Sequence, residues 1–164
     1  MKEIKLTIDG KEVQLTDEQL KMLGIETRKH LFDKVDDGGP YYFINCYGDI
    51  EAVSREDDAL FDDALFDNVN YFNDMYFANQ VALHQLLYRK LLKFAYENEC
   101  EDVEWDSRND HWCIYYNYAD RKYNVAGFSG HKFAHVWFSS EKGAKQAIEK
   151  VVKPFVKEHP EFVW

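Results

Sequence analysis

Between residues 36 and 74 the sequence has a single basic side chain, Arg55, against eleven acids. That imbalance equals the net charge of the whole 164-residue chain, −10, because acids and bases cancel elsewhere. A surface of this kind repels nucleic acid, whose own charge is negative. It attracts a basic partner, such as the nucleic-acid groove of another protein. The bland alternative is a solvated face that only keeps the chain dispersed.

Cysteine is scarce. Cys46, Cys100 and Cys113 form an odd set without metal-type spacing. The stretch MKEIKLTIDG reads as a strand without the apolar centre of an export signal. Together these predict reduced thiols and a cytoplasmic setting. No apolar run approaches the ~18 residues that a membrane span needs. Also missing are a glycine-rich phosphate loop, Cys-x-x-Cys, His-Glu-x-x-His and any local Ser-His-Asp signature. No catalytic residue, cofactor or metal is therefore expected, and the chain is read as a binder without enzymatic turnover.

What is present is apolar and aromatic: 46% hydrophobic residues, with 11 Tyr and 12 Phe, enough for a real core. The longest helical pattern is Asp74–Cys100. At 3.6 residues per turn, Leu83, Leu87, Leu91, Phe94 and Ala95 share one face, with Asp74 or Asn73 as N-cap. Met75, Ala78, Ala82 and Leu86 make the opposite side of its first half apolar too, which predicts a helix entering at the centre of the fold and leaving at the surface.

Around that helix the pieces alternate. Residues 3–15 read as a hairpin turning at Asp9-Gly10. Thr16 and Gln19 form a capping box for a short helix with Leu20 and Leu23 inward, closed by Gly24. A polar connector follows to residue 40. Tyr41–Asn45 and Asp49–Val53 pair around Tyr47-Gly48, and Val69–Phe72 adds a short strand. Beyond the long helix come an acidic loop at 101–110, strands Trp112–Tyr118 and Tyr123–Phe128, and a third strand Ala134–Phe138. A last helix, capped by Ser140, carries the stripe Ala144, Ala147, Ile148, Val151, Val152, Phe155 and Val156, with a kink at Pro154. Pro160–Trp164 is an aromatic tail that packs.

The fold class is α+β: an antiparallel sheet covered by the central and C-terminal helices, preceded by a 1–24 hairpin–helix module, with 41–164 as the main domain. Phe72, Asn73 and Asp74 echo Phe138, Ser139 and Ser140 at an offset of 66, which suggests duplicated units over 41–100 and 112–159. Asp58–Asp62 is repeated at once as Asp63–Asp67. A period of five fits neither strand nor helix, so the pair predicts a dispensable surface loop or a marginal helical turn.

Two candidate surfaces follow. The first is an acidic face of Asp57, Asp58, Asp62, Asp63 and Asp67, which lacks the spacing of a calcium loop. The second is an aromatic sheet in which Trp112, Tyr116, Tyr118, Arg121, Lys132 and Trp137 stack and neutralise one small nucleotide. His131 and His135, with His111 and Cys113 nearby, read as ordinary strand and turn residues rather than zinc ligands. Gln80 and His84 read as hydrogen-bonded polar groups on the apolar side of the long helix.

Ile8–Val13, Thr16–Leu20, Tyr41–Ile44, Asn70–Asp74 and Lys153–Phe162 resemble, in type and order, small accessory proteins of phages and prophages of Gram-positive bacteria. The usual glycine before the Asn-aromatic-Phe element is Val69 here. The resemblance implies a setting rather than a site. Such genes often encode inhibitors of host defence, including anti-CRISPR proteins and proteins that sequester defence nucleotides. The expectation is a stoichiometric inhibitor whose acidic face meets a basic, nucleic-acid-handling host protein, with no direct contact to nucleic acid or membrane. The alternative is a sponge for a small signalling nucleotide.

Overall fold

The structure is a computed structural model describing residues 6–8, 11–13, 15–23, 30–35, 39–54, 59–102, 104–105, 107–133 and 135–164. It is an α+β protein in which the strands among the described residues form three two-stranded antiparallel sheets. β1 (Leu6–Ile8) pairs with β2 (Lys11–Val13) with Ile8 opposite Lys11. Asp9 and Gly10, the expected turn, lie outside the described residues, as does Gly24. α1 (Asp17–Met22) opens on the expected capping box: Gln19 N–H donates to Thr16 Oγ1, and Thr16 N–H donates to Gln19 Oε1 at 2.9 Å. Leu20 is buried, but Leu23 is exposed rather than inward because α1 ends before it.

β3 (Tyr41–Ile44) and β4 (Ile50–Val53) form the second hairpin, followed by α2 (Ala59–Asp67) and α3 (Met75–Glu97). β5 (His111–Asn117) and β6 (Lys122–Phe128) form the third, followed by α4 (Glu141–Ala147). The two halves share a local plan. The expected strand at 69–72 reduces to one bridge, where Tyr42 and Phe72 exchange backbone hydrogen bonds at 2.8 and 2.9 Å. Of the expected strand at 134–138, Ala134 lies outside the described residues, and among the rest Phe138 bridges to Trp112 and Glu101. Two residues after each bridge stands an N-cap. Asp74 accepts from Phe77 N–H at 2.6 Å, and Ser140 accepts from Gly143 N–H at 3.1 Å. The offset of 66 therefore links positions with the same local geometry.

α3 is the wall between the halves. Its buried residues, Ala78, Ala82, Leu83, Leu87, Leu91, Phe94 and Ala95, are those of the predicted stripe plus the small residues of the first half. Met75, by contrast, is exposed. The main core joins α3 to Ile114, Val136, Phe138 and the stripe of the last helix, with Phe162 from the tail. Gly143 packs so tightly on Cys100 that an added Cβ would stand 2.8 Å from the Cys100 Cβ. Gln80 fixes the tail, donating to Glu161 O and accepting from Val163 N–H, each at 2.9 Å. His84 is exposed, its ring 4.7 Å from that of Phe162, so it is not a core group.

At Pro154 the last helix does more than kink. A π-helical turn, Ile148–Val152, joins α4 to α5 (Lys153–Glu158), and Lys153 N–H reaches back to Ile148 O. Proline lacks the N–H that would continue the α-pattern. The wider turn keeps Ile148, Val152 and Phe155 buried in one core. Among the described residues no helix is long and apolar enough to cross a membrane.

Candidate functional site

The tandem pentapeptide is not a loop. Its second copy and most of its first form α2, which packs on the second hairpin. Five residues along an α-helix advance about 500°, leaving equivalent positions of the two copies about 140° apart. Identical residues thus meet opposite environments. Leu60 is 85% exposed, whereas its copy Leu65 packs against the small core of Tyr41, Phe43 and Tyr71. Asp62 is only 2% exposed, whereas its copy Asp67 faces solvent. Tyr41 Oη donates to Asp62 Oδ1, and Tyr41 and Tyr71 stack with ring centroids 4.2 Å apart. Asp62 Oδ2 has no hydrogen-bond partner among the described residues.

This rearranges the predicted acidic face. Asp57 and Asp58 lie outside the described residues. Asp62 turns inward, so it is a structural carboxylate and not a contact. Asp63 is exposed and paired with Lys34 Nζ at 2.5 Å, and Asp67 is exposed. The sequence reading missed the apolar members of the same surface. Leu60, Phe61 and Phe66 are exposed on α2, and Val69 just beyond it. Helical phase would have revealed them once α2 was read as a helix.

The cap of α2 explains Val69. Val69 N–H donates to Phe66 O and Asn70 N–H to Leu65 O, the paired pattern of a Schellman motif. That motif puts Val69 at φ +57°, a left-handed conformation suited to glycine and strained for a β-branched residue. α3 ends the same way, with Glu99 at φ +50°.

The aromatic sheet does not assemble a ligand site from the predicted residues. Trp137 is buried, and Trp112 is half-buried against the main core. Tyr116 lies against Tyr118 and Tyr123, while Tyr118 Oη donates to Trp164 O at 2.6 Å. Lys132 sits over Trp105, 5.2 Å from the ring centroid. Arg121 is exposed in the β5–β6 turn at φ +55°. Trp112, Trp137 and Tyr116 serve cross-strand and core packing, while Tyr118, Arg121 and Lys132 stay exposed.

Beneath Trp105 lies a buried pair that sequence reasoning did not single out. His111 Nδ1 is 2.5 Å from Asp102 Oδ2, and the Trp105 ring stacks on His111 at 3.8 Å. Cys100 and Cys113 are buried free thiols, and Cys46 is an exposed one. Burial pushes the Cys100 and Cys113 thiols above their ordinary range, with Glu101 adding to the effect at Cys100. Burial lowers His135. No group of three potential metal ligands occurs among the described residues.

No known protein family, curated protein or solved structure matches this chain.

Proposed function

We propose that this chain works by binding a basic protein partner through the α2 surface, without turnover. The supporting observation is the interleaving on one short helix of exposed apolar groups, Leu60, Phe61 and Phe66, with the exposed carboxylates Asp63 and Asp67. Apolar anchors supply affinity when a contact excludes water, and surrounding charge sets the encounter rate. The resemblance to phage and prophage accessory proteins supplies the setting: an inhibitor of host defence in the bacterial cytoplasm, acting on a nucleic-acid-handling protein.

The test begins with the partner captured from Gram-positive host lysate, followed by binding kinetics. Asp57→Asn, Asp58→Asn, Asp63→Asn and Asp67→Asn together should lower the on-rate about tenfold and flatten its salt dependence. Asp62 is left intact because it holds the fold. Leu60→Ser should instead raise the off-rate while the salt dependence persists. Unaltered kinetics in both variants would sink the α2 reading.

A further inference from the structure

On the far side of the α2 cap the β3–β4 turn, the residues after α2 and one face of α3 enclose an open cleft of about 590 Å³. It opens in the most acidic part of the chain, yet no carboxylate lines it among the described residues. Its polar lining is the carboxamides of Asn45, Asn68, Asn70 and Gln85, and one cation, Arg89. Three of the amides are already engaged. Asn45 accepts from Tyr47 and Asp49 N–H, Asn68 donates to Ala64 O, and Asn70 both donates to Ile44 O and accepts from Ile44 N–H. They make a rigid rim. Gln85 and Arg89, one turn apart on α3, have no hydrogen bond or ion pair with the described residues.

Gly48 is required by its turn and not by the guanidinium beside it, which would be in ordinary contact with a Cβ. At φ +92° it has a conformation that L side chains rarely adopt, and Arg89 Nη2 lies 3.5 Å from where a Cβ would be. Tyr47, beside it, is 87% exposed. A guanidinium that meets no carboxylate among the described residues is suited to an oxyanion brought from outside, which it can hold through two parallel N–H bonds. A free phenol ring at the mouth is suited to a flat ring, which it can stack. The volume lies within the range of small-molecule sites.

We infer that this cleft binds a phosphate ester carrying a planar ring, of which a nucleoside monophosphate is the simplest. The phosphate meets Arg89, the ring lies on Tyr47, and Gln85 reads a polar edge. This site adjoins the α2 contact at Val69 but takes its ligand groups, Tyr47, Gln85 and Arg89, from elsewhere, and it is distinct from the aromatic sheet.

Cys46, also in the lining, is the only exposed thiol of the three, so it reports occupancy. The experiment measures its alkylation rate by iodoacetamide in the intact chain, read by peptide mass. The probes are AMP, GMP, CMP and UMP, with the four uncharged nucleosides and inorganic phosphate as separate arms. At least one monophosphate should slow alkylation saturably by about fivefold or more, with nucleoside or phosphate alone giving less than about twofold. Arg89→Gln should abolish that protection with the melting temperature unchanged, since Arg89 is exposed and bonds to none of the described residues. The inference is overturned if no monophosphate protects, if phosphate or nucleoside alone protects equally, or if protection survives in Arg89→Gln.

Discussion

Val69 shows how one side chain can be wrong for its backbone and still be retained. It occupies the left-handed position of a helix cap, where a β-branched residue costs on the order of 1–3 kcal/mol. Glycine would remove that strain but add backbone freedom to the unfolded chain, which offsets about 0.5–1 kcal/mol. Val69→Gly should therefore stabilise the protein by about 1 kcal/mol, raising the melting temperature by roughly 2–4 °C. A fall in melting temperature would show that the Val69 side chain packs more than its exposure indicates. The position was legible in part, since resemblance pointed to glycine there. The reason was not legible, because a Schellman cap is recognised from hydrogen bonds that a sequence without the glycine does not announce. Asp62 was hidden for a related reason. An aspartate among many aspartates carries no mark of burial until the helix that turns it toward Tyr41 is known.

At the scale of elements, periodicity served well where it was long. The stripe of α3 and its cap at Asp74 are as the sequence predicts, because 23 residues give more than six turns of signal. It served badly for α2, where the repeat of five concealed a nine-residue helix. The consequence is measurable. The copies being identical, removing Asp63–Asp67 leaves the same chain as removing Asp58–Asp62. The remaining copy can keep the Leu65 place and the cap at Val69, while a turn of α2 and the Phe61 ring on Phe43 are lost, which should cost about 2 kcal/mol or more in urea unfolding. A loss under about 1 kcal/mol would return this stretch to the status of a tolerant loop. The acidic face keeps Asp63 and Asp67 at the surface while Asp62 turns inward, and the predicted aromatic residues divide between packed and exposed positions. The cleft at Arg89 draws on turns and a helix 40 residues apart that no linear motif joins.

For the molecule as a whole, the core holds two thiols and Tyr123, all with pKa pushed up chiefly by burial, with Tyr116 and Tyr118 adding to the effect at Tyr123. Above about pH 9 the unfolded chain gives up these protons while the folded chain keeps them. The folded state then binds more protons, so stability must fall as pH rises. Urea midpoints should be level from about pH 7 to pH 8.5 and drop steadily by about pH 10.5. A flat profile across that window would mean that water reaches both thiols. Alkylation kinetics give an independent check, with Cys46 reacting long before Cys100 and Cys113.

The repeated pentapeptide also constrains how the gene can change. Short tandem repeats gain and lose copies by slippage during DNA replication, and fifteen nucleotides keep the reading frame. In a loop such a step would pass unnoticed. In α2 each added or lost copy turns everything downstream by about 140° relative to what precedes it. The copies being identical, the one left after a loss can keep the Leu65 place and the cap at Val69, and the change falls on Phe61, whose ring packs on Phe43. A change of copy number is therefore felt through that one ring and the length of α2, not through the cap.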